Sequence, residues 1–296
     1  MRIRALHFII LPMNSPNIGL VVIGDEILSG KRVDKHLPKL IELLSERGLH
    51  LDWAEYVGDN RERITAALKR AFATSDVVFS TGGIGATPDD HTRQCAAAAL
   101  GVPLSLHPEA KALIEERMQD TARETGVPFE PDRADNVHRL NMGVFPLGAR
   151  ILPNPYNKIP GFSLDGPGGG TIHFTPGFPV MAWPMMAWAL DTYYASWFRR
   201  GGWQERSVII FGAMEASLTP VMERVEAAHP GVKVFSLPSV DHPEHGKHID
   251  LGVKGPIEEV GPAYADLRAW LAPFGLSYGK EIVNPPERQD KSSRNQ

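Results

Sequence analysis

At 296 residues the chain can hold one large domain or two smaller ones, and it is long enough for a substantial core. Apolar residues at 43% and charged residues at 22% describe an ordinary globular protein, and a net charge of −4 argues against a nucleic-acid partner, which usually meets a basic surplus. The single cysteine, Cys95, excludes a disulfide framework and fits a reducing cytoplasm, where a buried, inert thiol is expected.

Met1 to Pro12 joins two arginines to a short apolar run. No small-residue cleavage site follows, so an extension covering residues 1–16 is expected, with a natural start at Met13. Ile18 to Ile23 reads as the first strand and runs into Gly24-Asp25-Glu26-Ile27-Leu28-Ser29-Gly30. Leu37, Leu40, Ile41 and Leu44 recur at helical spacing between Asp34 and Arg47, and Gly48 suits the C-terminal cap. Pro38 is tolerated because it falls near the first turn. Leu49 to Val57 reads as a strand. Asp59-Asn60-Arg61-Glu62 then has the capping-box pattern, with Asp59 as the cap and a helix behind it burying Ile64, Leu68, Ala71 and Phe72. Asp76 to Phe79 is a further strand, and a helix rich in alanine runs from Thr92 to Leu100. Strands alternating with helices predict a doubly wound, mostly parallel sheet whose ligands lie beyond the carboxyl ends of its strands. The Gly24–Gly30 loop, Asp59 and the loop from Gly82 to Thr92 all follow strands, so all three are expected on one edge.

Pro108 to Arg123 and Asp132 to Leu140 read as a helical insertion bordering that edge. Arg150 to Leu152 and Phe162 to Leu164 are short strands around Pro153-Asn154-Pro155 and Pro160-Gly161. Gly166 to Gly170 is expected to turn a hairpin into the alternating strand Thr171 to Thr175. Phe178 to Phe198 is strongly aromatic with one charge, Asp191. It approaches membrane-spanning length, but Pro184 and Asp191 favour burial in a subunit interface, so a homo-oligomer and no membrane partner are expected. Gly201-Gly202 marks a domain boundary. Beyond it a βαββαβ order is predicted: strand Ser207–Gly212, helix Glu215–Ala228, strands Val232–Leu237 and Ile249–Val253, helix Ile257–Pro273, and a short strand near Leu276 to Tyr278. The histidines and acids of Asp241 to His248 read as a polar hairpin tip, with transition-metal binding the alternative. The expected domains are thus 17–200, an α/β unit, and 203–282, a smaller α+β unit, with a disordered tail over 283–296.

The stretch from Ser80 to Thr92 carries the chemistry. A strand that runs into Gly82, Gly83 and Gly85 and then into a helix places backbone N–H groups around a phosphate. Asp89 and Asp90, with the hydroxyls of Thr87 and Thr92, are the ligand types that hold Mg²⁺. No Gly-Lys-Ser/Thr follows, so it is not a Walker loop, and it lacks the Rossmann fingerprint.

TGGIGATPDDHT in this loop resembles the signature of the molybdopterin-binding domain family, in the branch found at the N-terminus of competence/damage-inducible protein A (CinA). Gly24 to Gly30 resembles that branch's Gly-(Asp/Thr)-Glu-(Ile/Leu)-Leu-x-Gly, and Pro176-Gly177-Phe178-Pro179 resembles its Pro-Gly-x-Pro turn. The match spans roughly Ile18 to Phe198, and residues 203–282 resemble the small middle domain of CinA. That domain is sometimes likened to RNA-binding modules, but no Gly-x-x-Gly clamp is present. The deamidase domain of CinA does not follow, so amidase activity is not expected.

The resemblance implies a divalent-metal-dependent pyrophosphatase acting on a nucleotide diphosphate such as ADP-ribose, or a flavin- or nicotinamide-related compound. Asp90 and Asp59 are the expected catalytic acids and, with Asp89 and Glu26, the ligands of Mg²⁺ or a similar ion. The phosphates are expected at Gly24, Ser29, Gly30, Thr81, Gly82, Gly83, Gly85, Thr87, Thr92, Pro176 and Gly177. One alternative is transfer of an adenylyl group from ATP to molybdopterin, against which Ile84 counts because that branch has Thr there. The other is a non-catalytic module for a pterin or nucleotide phosphate. His36 departs from the asparagine CinA proteins commonly have two residues after the position of Asp34.

Overall fold

The computed structural model describes residues 17–198 and 203–284. The expectations for the N-terminal extension, for Gly201-Gly202 and for all but the start of the C-terminal tail lie outside these residues. Contacts divide the chain into two compact units: 17–43 with 50–197 form one, and 44–49 with 198 onwards form the other.

The first unit runs β1 (Ile18–Ile23), α1 (Asp25–Leu28), α2 (His36–Ser45), β2 (Trp53–Val57), α3 (Arg61–Phe72), β3 (Val77–Thr81) and α4 (Thr92–Leu100). It continues with β4 (Leu104–Leu106), α5 (Pro108–Thr125), α6 (Ala134–Arg139), β5 (Val144–Pro146), β6 (Arg150–Leu152), β7 (Gly161–Asp165), β8 (Thr171–Thr175) and α7 (Pro179–Tyr193). Six strands form one sheet in the order β2-β1-β3-β8-β7-β6. The first four are parallel; β7 joins antiparallel to β8, and β6, antiparallel to β7, runs in the direction of the first four. Every residue of β1 and of β3 is buried, as expected of central strands covered on both faces. The carboxyl ends of β1, β2, β3 and β8 therefore share one edge.

Several local readings need correction. Asn60 caps α3, its Oδ1 accepting from the Arg63 N–H at 3.0 Å; Asp59, the residue expected to cap, turns to Asp25 instead. The segment after β1, read as a loop, opens with the single helical turn α1. The short β4–β5 pair was not anticipated, because three residues carry too little periodicity to read. The hairpin at Gly166–Gly170 forms as expected, and its glycines answer to packing. A Cβ at Gly168 would meet the carbonyl of Ala73 at 2.4 Å, and one at Gly170 would meet that of Asp76 at 2.2 Å. The turn thus docks at the entry to β3, on the edge away from the loop at Ser80–Thr92.

The core of this unit centres on a ring stack. Phe162 lies 4.6 Å from Phe145 and 4.4 Å from Phe174, centroid to centroid, and all three are fully buried. Beside it sits a buried polar chain: His173 Nδ1 pairs with Ser163 Oγ at 2.7 Å and Nε2 with Tyr194 Oη at 2.6 Å. Both ring nitrogens are satisfied by hydroxyls able to donate or accept, so a neutral imidazole is buried without an orphaned group. Among the described residues no helix is long and apolar enough to cross a membrane.

The second unit adds β9 (Trp203–Phe211), α8 (Glu215–Ala228), β10 (Lys233–His242), β11 (Gly246–Pro256), α9 (Ile257–Leu271) and β12 (Ser277–Asn284), the expected βαββαβ order. Its antiparallel sheet runs β10-β11-β9-β12. Leu218 and Val225 of α8 and Leu267 and Leu271 of α9 pack into the same core as Val208, Leu251 and Val253 of the sheet. At the β10–β11 tip the rings of His242, His245 and His248 gather at 5.0–5.5 Å. Among the described residues, no group of three or more His, Cys, Asp or Glu is arranged to hold a metal ion.

Two measurements probe this core. Phe162→Ala removes the middle ring of the stack and is expected to cost about 3–5 kcal/mol in urea-induced unfolding. Burial, aided by the charge of Arg150, drives His173 from 6.5 down to about 3. The unfolded chain therefore binds the proton first, and stability is lost as pH falls from 6.5 towards 3. His173→Gln, with no charge to acquire, is expected to show a shallower fall of Tm across that interval in calorimetry.

Candidate functional site

A cavity of about 420 Å³ opens at the carboxyl edge of the parallel strands. Ile23, Gly24, Glu26 and Arg32 enter it from the β1 exit, and Asp59 from the β2 exit. Gly82 to Thr87, Asp89 and Asp90 come from the β3 exit, and Pro176, Gly177 and Phe178 from the β8 exit. The remaining wall is Met142, Asn154, Asn157, Ile159, Pro160 and Met181. The three loops expected on one edge therefore meet at one cavity.

Packing explains the path of the β3 loop. Gly82 has φ 97°, and a Cβ there would lie 2.1 Å from the carbonyl oxygen of Ile23, so only glycine lets β3 leave so close to β1. Thr92 N donates to Gly83 O at 2.9 Å and Thr92 Oγ1 to Gly82 O at 2.9 Å. Asp90 Oδ2 accepts from the N–H and the hydroxyl of Thr87 at 2.8 and 2.5 Å. Arg93, 4% exposed, donates to Gly85 O at 2.6 Å and to Asn141 O, with Asp90 as its nearby opposite charge. His138 Nε2 donates to Ala86 O at 2.9 Å.

These bonds sort the expected phosphate groups. Gly82 N–H is spent on Thr175 O, Gly24 N–H on Val57 O, and Thr87 on Asp90. Among the described residues, the N–H groups of Gly83, Ile84, Gly85, Ala86 and Gly177 have no acceptor. Ser29 and Gly30 close the α1 turn through their N–H groups and do not line the cavity. Thr81 and Thr92 are buried beneath the loop and also stay off its wall; the Thr92 hydroxyl shapes the loop rather than facing a ligand. Pro176 and Gly177 do line the cavity.

The acids form one electrostatic group. Asp25 N donates to Asp59 Oδ2 at 2.9 Å and Asp59 N to Asp25 Oδ1 at 3.1 Å, so each carboxylate ties down the other's backbone. Burial raises the pKa of Asp59, and the charges of Asp25, Glu26 and Asp89 push the same way against the hydrogen bond from Asp25. Among the described residues, the cavity wall carries Glu26, Asp59, Asp89 and Asp90 with one cation, Arg32, while Arg93 lies behind the loop near Asp90.

His36 sits 5% exposed at the start of α2, where Asp34 caps the helix through the N–H groups of His36 and Leu37. Its Nε2 donates to Gly177 O at 3.0 Å, while Nδ1 is buried without a partner and burial lowers the ring's pKa. The histidine thus ties the Pro-Gly turn to α2. Arg32, Met142, Asn154, Asn157, Ile159 and Met181 escaped sequence reasoning; only the prolines around Asn154 hinted at an ordered turn there.

Residues 19–194 match the family described as Probable molybdopterin binding domain. A CinA-like protein of Gloeobacter violaceus is 33% identical over 261 residues, which are 86% of this chain and 58% of that protein. A protein of Pyrobaculum calidifontis is 30% identical over 256 residues, 86% of this chain and 94% of its own length. The crystal structure of the protein CinA of Thermoplasma acidophilum aligns at 27% identity and a TM-score of 0.50, covering 60% of this chain and 98% of that one. The chain spans only 58% and 37% of the CinA-like proteins of Gloeobacter violaceus and Anaeromyxobacter dehalogenans. Matched over more than half its length by the family and over most of it by these relatives, the chain belongs to the molybdopterin-binding domain family, with CinA-like proteins among its homologues.

Proposed function

We propose that this cavity hydrolyses a phosphoanhydride in a nucleotide diphosphate of the ADP-ribose class, with a divalent cation. One observation carries the reading: Gly83 to Ala86, four consecutive residues with unpaired backbone N–H groups, line the same cavity as four acidic residues. Unpaired amides in a glycine-rich loop before a helix are donors waiting for an anion.

Four carboxylates outnumber Arg32 on the wall and Arg93 behind the loop, so the site takes a diphosphate more readily with added positive charge. Burial raises Asp59 first and the neighbouring acids add to it; a divalent cation relieves that added repulsion, and an all-oxygen donor set suits Mg²⁺. The side chains form no closed cage, which fits an ion that keeps several waters and takes phosphate oxygens as further ligands. Among the described residues no three of these acids are grouped to hold an ion together, so one or two of Asp90, Asp59, Asp89 and Glu26 would hold it with waters. When bound, such an ion neutralises phosphate charge and stabilises the charge that develops as the bridging bond breaks. The loop amides orient the phosphates, and Arg93 and Thr92 keep those amides in place. A water oxygen bonds to one phosphorus as the bridging P–O bond breaks, which from ADP-ribose yields AMP and ribose phosphate.

Incubation with ADP-ribose and Mg²⁺ or Co²⁺ is expected to release AMP, followed by chromatography. Adenylylated pterin from a parallel mixture of molybdopterin and ATP would assign adenylyl transfer instead, and saturable binding with neither product would leave a binding module. Asp90→Asn is expected to lower turnover at least about 100-fold while the far-ultraviolet dichroism stays native; a wild-type rate would remove Asp90 from the chemistry.

Asp59 gives a test by stability. Its raised pKa means the fold disfavours its charged form, so stability is greater below the ordinary carboxylate range and is lost as pH rises through the raised value. Asp59→Asn is therefore expected to raise the metal-free Tm at pH 7 and to shrink the further rise that Mg²⁺ produces in the wild type. An unchanged Mg²⁺ response, read by differential scanning fluorimetry, would place the ion elsewhere.

A further inference from the structure

We infer that Asn157 reads a hydrogen-bond acceptor on the nucleobase of the ligand, making it a specificity-determining residue on a wall of the cavity separate from the phosphate loop. The inference rests on the reading of that loop as a phosphate site and extends it to the rest of the molecule bound there.

The orientation of the amide follows from its partners. The N–H of Ile159 lies 3.1 Å from one terminal atom of Asn157, and a backbone N–H can only donate, so that atom is Oδ1. The same oxygen accepts from Asn154 Nδ2 at 2.7 Å. Asn154 is itself 5% exposed and locked, giving Nδ2 also to Ile159 O at 2.9 Å and taking the Tyr156 N–H on Oδ1 at 3.0 Å. With its oxygen doubly engaged, Asn157 has its NH₂ committed outward. The acceptor this NH₂ finds is Met181 Sδ, at 3.3 Å.

A thioether is a weak acceptor, and both Asn157 and Met181 line the cavity. A ligand ring nitrogen or carbonyl placed there would exchange a poor hydrogen bond for a good one without reorienting the side chain. The neighbouring wall suits the body of such a ring: Met142, Ile159 and Met181 are apolar, and thioethers pack well on aromatic faces. Phe178, 56% exposed at the rim, offers an aromatic face to stack on.

The turn is also held in advance of binding. Lys158 has φ 66°, the one residue other than glycine with positive φ among the described residues. That region is costly for a side-chain-bearing residue. Its N–H donates to Asn154 O at 3.0 Å, and its Nζ reaches Glu116 and Asp120 of α5 at 2.6 Å each. A strained residue fixed at both ends keeps Asn157 in one pose, so little ordering remains for the ligand to offset.

Two non-hydrolysable probes test this by calorimetry on the full chain with Mg²⁺: α,β-methylene-ADP, which carries the base, and methylenediphosphonate, which does not. In the wild type the first is expected to bind at least about tenfold tighter. Asn157→Asp keeps the acceptor for Ile159 and Asn154 but loses the donor, and is expected to shrink that ratio about tenfold; Asn157→Ala, which has no donor, tests the same loss if the aspartate variant does not fold. Met181→Leu removes the thioether and is expected to keep the ratio at or above that of the wild type. An unchanged ratio in the Asn157 variant, or an equal loss in Met181→Leu, would overturn the role of Asn157. If methylenediphosphonate binds and the base adds nothing, base reading fails alone. If neither probe binds the wild type, the phosphate site itself fails, and this inference with it.

Discussion

The site depends on how closely the exit of β3 passes the end of β1. Gly82 is clamped between two neighbouring strand exits, its N–H on Thr175 O of β8 and its α-carbon against the carbonyl of Ile23 at the end of β1. A side chain there would force the chain outward. The amides of Gly83 to Ala86 would then no longer face the cavity that Gly24, Asp59 and Gly177 also line. Parallel strands make this convergence possible, because each contributes its exit to the same edge. Of the two strands beyond β8, β7 runs against the others, while β6, antiparallel to β7, runs with them, and the turn after it carries Asn154 and Asn157 to the same edge.

Electrostatics at this edge works against the fold and for the chemistry. Asp25 and Asp59 fix each other's backbone through reciprocal hydrogen bonds, yet their charges repel, and Glu26 and Asp89 add to the repulsion. A chain selected for stability alone has no reason to gather four acids at one edge, where only Arg32 on the wall and Arg93 behind the loop offset them. Local destabilisation that an external charge would relieve is a familiar mark of a functional site. The contrast with His173 is instructive. That ring is more deeply buried, but both its nitrogens are partnered by hydroxyls within the core, and it has no opening to a ligand.

The alternation of strands and helices was legible because it rests on periodicity, and the shared edge followed from topology without any knowledge of contacts. The capping of α3 was not. Asp59 and Asn60 are both good caps, and which of them turns into the helix depends on the N–H of Asp25, which lies 34 residues earlier. The wall formed by Asn154, Asn157 and Met181 was equally illegible. Its residues come from a turn after β6 and from α7, and no local pattern says that a turn and a helix will face a loop more than 60 positions before them. Thr81 and Thr92 misled for a third reason. Hydroxyls near glycines suit a phosphate or a metal, but they suit a tight loop equally well, and the loop claimed the Thr92 hydroxyl first.

That division of labour explains what the motif encodes. Of the side chains in TGGIGATPDDHT, Thr92 holds the carbonyl of Gly82, Asp90 holds Thr87, and Ile84 is buried in the core. Arg93, just beyond it, holds the carbonyl of Gly85. Much of the signature is therefore spent on bending the backbone, and what it leaves at the cavity is a run of loop amides with the carboxylates of Asp89 and Asp90. On the proposed reading, loop shape would favour a phosphate, while the rest of the ligand would meet side chains outside the motif.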